Sequence, residues 1–228
     1  MFTITRFLTG CTEHTTVLHP SESQTVKLVK PNKAQAAHYN VRLGLAYLKV
    51  GDMRRAHYKL NKAIELDPGS AEAHYAFAYY SEQLGEVQQA RQEYLIALRL
   101  APNDPKVLNN YGTFLCKQGD LKESIHYLLA AAEQRDYLDR SGSYENAGLC
   151  AVKMSDLKRA EDYFRRALQL SPHSDRILWE LIKISDKQGQ DQQTLLLLKR
   201  YLLARPHDHN ARSLLDKLQA RLVQSNQS

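Results

Sequence analysis

Cysteine is scarce: three residues, Cys11, Cys116 and Cys150, occur in 228. The number is odd and the spacing wide, which argues against the disulfide framework of a small secreted domain. No CxxC pair and no His/Cys cluster has metal-ligand spacing, so no metal and no cofactor is expected. Apolar runs are short. Segments such as 75–80 and 127–132 fall far below the ~18 residues that read as a membrane span. Membrane attachment would therefore need an anchor. Catalytic signatures are missing too: there is no GxxxxGK[ST], HExxH, GxSxG or GxGxxG. The nine histidines are scattered. His38, His74 and His126 fall on expected helices and read as surface or packing residues. No nucleophile converges with a base, and no catalytic residue is expected. The basic excess is small, 31 Lys and Arg against 25 Asp and Glu. It reads as spread along the chain and alternating with acidic residues, which does not suit nucleic-acid binding.

What the sequence does have is a period. Gly44-Leu45-Ala46-Tyr47 is followed by Gly51, Ala56, Ala63 and Pro68. Ala78, Gly85, Ala90, Ala97 and Pro102 repeat that set 34 residues on. Gly112, Gly119, Ser124 and Ala131 form a third copy. Gly148, Ala160, Phe164, Ala167 and Pro172 form a fourth, two residues late. Gly189, Thr194, Leu198 and Pro206 form a fifth. The pattern resembles the tetratricopeptide repeat (TPR), a helix pair with small residues at the crossing and a closing proline. Small side chains let two helices approach to about 8–10 Å. Glycine suits the left-handed end of the first helix, and proline stops the second.

The expected fold is therefore all-α: a TPR solenoid of about five helix pairs over 35–222, with a closing helix from Ala211 to Leu222. Leu214, Leu215, Leu218 and Leu222 give that helix its apolar face. Residues 223–228 read as a polar tail. The third copy lacks its proline and carries Arg135-Asp136-Tyr137-Leu138-Asp139-Arg140 instead, and the fourth has Ser155 where glycine is usual. An irregular joint is expected there.

The N-terminus differs. Leu8-Thr9-Gly10-Cys11 has the form of a lipobox, while residues 1–11 are too short and too polar for an ordinary export signal. The expectation is a start placed inside the signal, or a degraded signal, with Cys11 as lipid anchor. Three acyl chains would hold the protein firmly, since two membrane signals suffice. Residues 12–34 read as a polar tether. A chance cysteine in a cytoplasmic protein is the alternative.

TPR arrays bind other proteins along the first helix of each pair. The groove places are Val41, Leu45, Leu48 and Lys49 in the first repeat, and Tyr75, Tyr79 and Glu82 in the second. The third gives Asn109, Thr113 and Lys117, and the fifth Trp179, Lys183 and Lys187. Val41, Leu45 and Leu48 read as an apolar stripe that is a partner site, is covered by Val26, Leu28 and Val29, or is buried against the second helix. With Val41 and Leu45 in the first repeat, a clamp for a terminal carboxylate is excluded. Cys116 and Cys150 fall at unlike places on helices whose axes stand about 9 Å apart. Two separate thiols are expected.

The lipobox, the tether and the segments GLAYLKVGDMRRAHYKLNKAIELDP, VLNNYGTFLCKQGDLKESIHYLLAA and YENAGLCAVKMSDLKRAEDYFRRALQL together resemble the type IV pilus biogenesis TPR lipoproteins, the PilF/PilW pilotin family. The resemblance implies a non-enzymatic outer-membrane lipoprotein, lipidated at Cys11, that brings the pilus secretin subunit to the membrane and promotes its multimerisation. Other pilus assembly proteins would be further partners. Val41, Leu45, Leu48, Tyr75 and Tyr79 would then meet the secretin, and Asn109 and Asn110 match the family's paired asparagines. The resemblance weakens at the short N-terminus and near the C-terminus, where a full sixth repeat would be expected. A generic TPR scaffold, cytoplasmic or periplasmic with another client, is the rival reading.

Overall fold

The structure, a computed structural model, describes residues 32–225. Among these residues there are eleven helices and no strand. Five pairs run in order: α1 (Lys33–Lys49) with α2 (Met53–Leu66), α3 (Ala71–Gln83) with α4 (Val87–Leu100), and α5 (Pro105–Gln118) with α6 (Leu121–Ala132). Then follow α7 (Arg140–Lys153) with α8 (Leu157–Leu170), and α9 (Asp175–Lys187) with α10 (Asp191–Ala204). The last helix, α11 (His209–Ser225), packs on α10. Helix α1 begins two residues inside the segment read as tether, and α11 runs to Ser225, inside the expected tail. Cys11 and residues 1–31 lie outside the described residues.

Local chemistry sets the ends. Asp52, Ser70, Asp104, Asp156 and Ser174 each accept a backbone N–H from the first turn of the helix they precede, which satisfies donors the helix cannot. The turn within a pair is left-handed, at Gly51, Gly85, Gly119 and Gly189. In the fourth pair Ser155 takes the same turn, with φ 59°. A side chain pays about 1–2 kcal/mol for that conformation and glycine does not. Ser155→Gly is expected to raise stability by about 1 kcal/mol, read as a higher urea midpoint at unchanged slope.

The crossings are tight. Ala56, Ala90 and Ala160 are fully buried. A Cβ added at Gly148 would lie 2.8 Å from the Phe164 ring. At Gly112 it would lie 2.8 Å from Leu128, and the Ser124 hydroxyl donates to the Gly112 carbonyl at 2.7 Å. These contacts fix the pairs at a separation that no larger residue would permit.

The joint between the third and fourth pairs is irregular. Seven residues, 133–139, separate α6 from α7, where four separate the other pairs. Arg140 donates to the Ala132 carbonyl across this connection, and Gln134 donates to the Asn103 carbonyl of the preceding one. The joint is also cross-linked. Cys116 on α5 and Cys150 on α7 form a disulfide, with Cα atoms 5.7 Å apart. The expectation of two thiols is thus overturned. Its error was to compare an axis separation with a Cα distance. A Cα stands about 2.3 Å from its helix axis, so facing Cα atoms on axes 9 Å apart approach to about 4–5 Å. The unlike places of the two cysteines do not keep them apart, because one looks forward along the array and the other back.

Candidate protein-binding wall

Successive first helices are stitched together by side chains roughly one repeat apart. His38 on α1 bonds Glu72 on α3 at 2.7 Å. Glu82 on α3 pairs with Lys117 on α5 and accepts from the Tyr94 hydroxyl at 3.3 Å. Asn109 on α5 accepts from Ser143 at 3.0 Å and Asn146 at 3.1 Å, both on α7. Lys153 on α7 reaches the Cys116 carbonyl. Glu145 on α7, 3% exposed, is bound by Arg176 on α9. Burial holds the Glu145 carboxyl above its ordinary value, with Arg176 working the other way. Arg221 on α11 binds Asp186 on α9. The wall formed by first helices is therefore polar and pre-organised, with aromatic side chains set into it.

The expected groove residues divide on this wall. Val41 and Leu48 are not surface residues: they are 0% and 8% exposed and belong to a core cluster with Leu60, Ala63, Ala73 and Phe77. Helix α1 packs on α2 and α3 together, and Ala37, Val41, Gly44 and Leu48 form the face turned to both. Leu45 is half-buried and packs against the same cluster. The reading of a solvent-facing stripe is corrected accordingly; the burial alternative describes Val41 and Leu48. Tyr75 is half-buried between the core of the first two repeats and the core that joins the second to the third. Burial, then the Glu72 and Asp104 carboxylates, push its hydroxyl well above its ordinary range. Tyr79, one turn on, is 37% exposed and is the most open aromatic of α3.

The two asparagines have different jobs. Asn109 ties α5 to α7, whereas Asn110 donates to the Lys106 carbonyl within its own helix. Trp179 is half-buried, packed against Tyr201 with ring centres 5.2 Å apart. His74 is a buried packing residue that bonds Glu93 and the Pro68 carbonyl.

Several residues of the wall escaped sequence reasoning. Tyr137 and the wholly exposed Leu138 border a cleft of about 520 Å³ with Asp104, Lys106 and Gln134. The lengthened connection was visible in the sequence, but not its placement beside α5. Ser143 was hidden, and although Glu145 and Asn146 lie in a segment that carries the family resemblance, their partners Arg176 and Asn109 are about one repeat away, a relation that the two-residue slip obscures. Among the described residues no group of three His, Cys, Asp or Glu could hold a metal ion.

A wall of stitched first helices, small-residue crossings and left-handed turns defines a TPR array. Matches to the tetratricopeptide repeat family cover residues 41–105, 103–172 and 151–218. Among curated proteins, the type IV pilus assembly protein PilF of Pseudomonas aeruginosa is 33% identical over 210 residues. That alignment spans 91% of this chain and 79% of PilF. A solved structure from the functional characterisation of Pseudomonas aeruginosa PilF superposes with TM-score 0.68 at 29% identity, covering 83% of this chain and 91% of that one. PilW, described as a widely conserved type IV pilus biogenesis factor, superposes with TM-score 0.71 at 23% identity, covering 82% of this chain and 92% of its own; that likeness bears on the fold alone. The chain belongs to the PilF family of type IV pilus biogenesis TPR proteins.

Proposed function

We propose that this chain is a non-enzymatic outer-membrane lipoprotein of type IV pilus biogenesis. It is anchored through lipid on Cys11, captures the pilus secretin subunit on the wall of first helices, and promotes its multimerisation. The observation that carries the proposal is the alignment with PilF along 91% of the chain. The Cys116–Cys150 disulfide supports it independently, since such bonds persist in oxidising compartments such as the periplasm and are rare in the cytosol. The segment Leu8-Thr9-Gly10-Cys11 supplies the acylation signal.

On this reading the exposed Tyr79 is a better contact residue than Leu45, because a charge at Leu45 would disturb the core as well. Tyr79→Asp is expected to weaken capture of purified secretin more than tenfold, the scale of an interface hot spot, with an unchanged unfolding midpoint. Equal capture by the variant would remove the wall around Tyr79 from the interface. Mass spectrometry of the protein expressed from its own locus tests the anchor: a chain beginning at acylated Cys11 supports it. An uncleaved, unmodified chain would leave a TPR scaffold with another location.

A further inference from the structure

The net charge of the chain is not spread evenly, contrary to the sequence reading. Residues 33–66, the first helical pair, carry seven Lys or Arg against two Asp or Glu. Residues 67–228 carry 21 of each. The first pair therefore holds five of the six net positive charges.

The same pair exposes apolar side chains on one face. Tyr39, Leu43 and Val50 are 53%, 45% and 75% exposed, and Ala46 between them is exposed too. Their steps of four, three and four residues place Tyr39, Leu43 and Ala46 on one stripe of α1, with Val50, the residue that caps the helix, continuing it. The stripe lies away from the core face of Ala37, Val41, Gly44 and Leu48. It forms the open end of the array, where α1 has no earlier repeat among the described residues. Exposed Arg42 and Lys49 flank it on α1. On α2, Arg55 lies over Tyr47, and Lys59 over the exposed Tyr58.

We propose that this basic-rimmed end of the first repeat docks on an anionic phospholipid surface. Tyr and Leu enter the headgroup region while Arg and Lys stems reach along apolar surface to phosphate. Charge complementarity selects this occupant. A second copy would set one excess of basic residues against another. The preceding segment, residues 12–31, has two acidic and two basic residues and cannot neutralise the rim. The proposal deepens the envelope reading and rests on it for the membrane's presence in the cell. Its physical test needs neither acylation nor secretin.

That test uses the full chain carrying Cys11→Ser, floated with vesicles of phosphatidylethanolamine and phosphatidylglycerol, or of phosphatidylcholine alone. Binding to the anionic vesicles alone, weakening with salt, is expected. Leu43→Asp with Val50→Asp, and separately Arg42→Glu with Lys59→Glu, should each lower partitioning about tenfold or more. Lys217→Glu, an exposed change at the other end, should not. Far-UV circular dichroism and urea midpoints show that each variant is folded. Equal binding to both vesicle types, no binding, or variants that bind like the parent would overturn the proposal. So would a dimer in sedimentation that Leu43→Asp dissolves, because the stripe would then serve a second copy. Since Cys11 is serine throughout, failure here leaves the question of acylation standing.

Discussion

Cys150→Ser is expected to lower the unfolding free energy by about 4 kcal/mol, the chain-entropy value for a cross-link spanning 34 residues. Cys150 is fully buried and Cys116 nearly so, so serine also places a hydroxyl among Leu128, Ala147 and Phe164. The Leu121 carbonyl lies 3.7 Å from the Cys150 sulfur, so a serine hydroxyl has an acceptor close by and the added cost falls at the low end of the ~1–3 kcal/mol of a partnerless buried hydroxyl. Cys150→Ala separates the two effects, since it removes the bond without adding a polar group. Urea unfolding of the parent with and without reductant supplies the control: the reduced parent should fall close to Cys150→Ala. If reduction leaves the midpoint where it was, the cross-link contributes nothing to stability.

Phe164→Ala is expected to be comparably severe, about 3–5 kcal/mol, because the ring is fully buried in the core shared by α5 to α9. The more informative result lies in its coupling to Gly148. Gly148→Ala alone should destabilise, since its Cβ would lie 2.8 Å from the ring. With Phe164 already alanine that clash is gone. The same change should then stabilise by up to about 1 kcal/mol, as alanine is the better helix former. A sign change between the two backgrounds is the expected outcome of the double-mutant cycle, measured by denaturant unfolding. Additive effects would mean that the glycine is not there to admit the ring.

The repeat, the crossings and the closing helix were legible because each depends on nearby residues. A glycine, an alanine one helix later and a proline at the end mark a pair without knowledge of its neighbours. The joint was legible for the same reason: a missing proline and a charged insertion announce it. What failed was longer in range. Val41 and Leu48 were assigned by generic groove geometry, yet α1 meets α3 as well as α2, and an apolar residue facing both is drawn into the core. Asn109 and the segment holding Asn146 could be singled out by resemblance, but not Ser143, nor the bonds that join Asn109 to Ser143 and Asn146 across two repeats. The polarity of the wall is therefore a tertiary fact. The exposed face of α1 was a different kind of miss. Its heptad-like spacing and local charge excess were both present in the sequence, hidden by counting charge over the whole chain.

The seven-residue connection has a consequence for how the molecule comes apart. A repeat array is held by intrinsic repeat stabilities and nearest-neighbour contacts, so the weakest interface decides where it splits into separately melting blocks. The lengthened connection sits between α6 and α7, and there the cross-link between α5 and α7 spans the same boundary. Oxidised, the array is fastened at its irregular seam and the repeats on both sides share one cooperative transition. Reduced, the boundary loses that fastening but keeps the core shared by α5 to α9, so the repeats on both sides still melt together while amides of the 133–139 connection are expected to exchange faster.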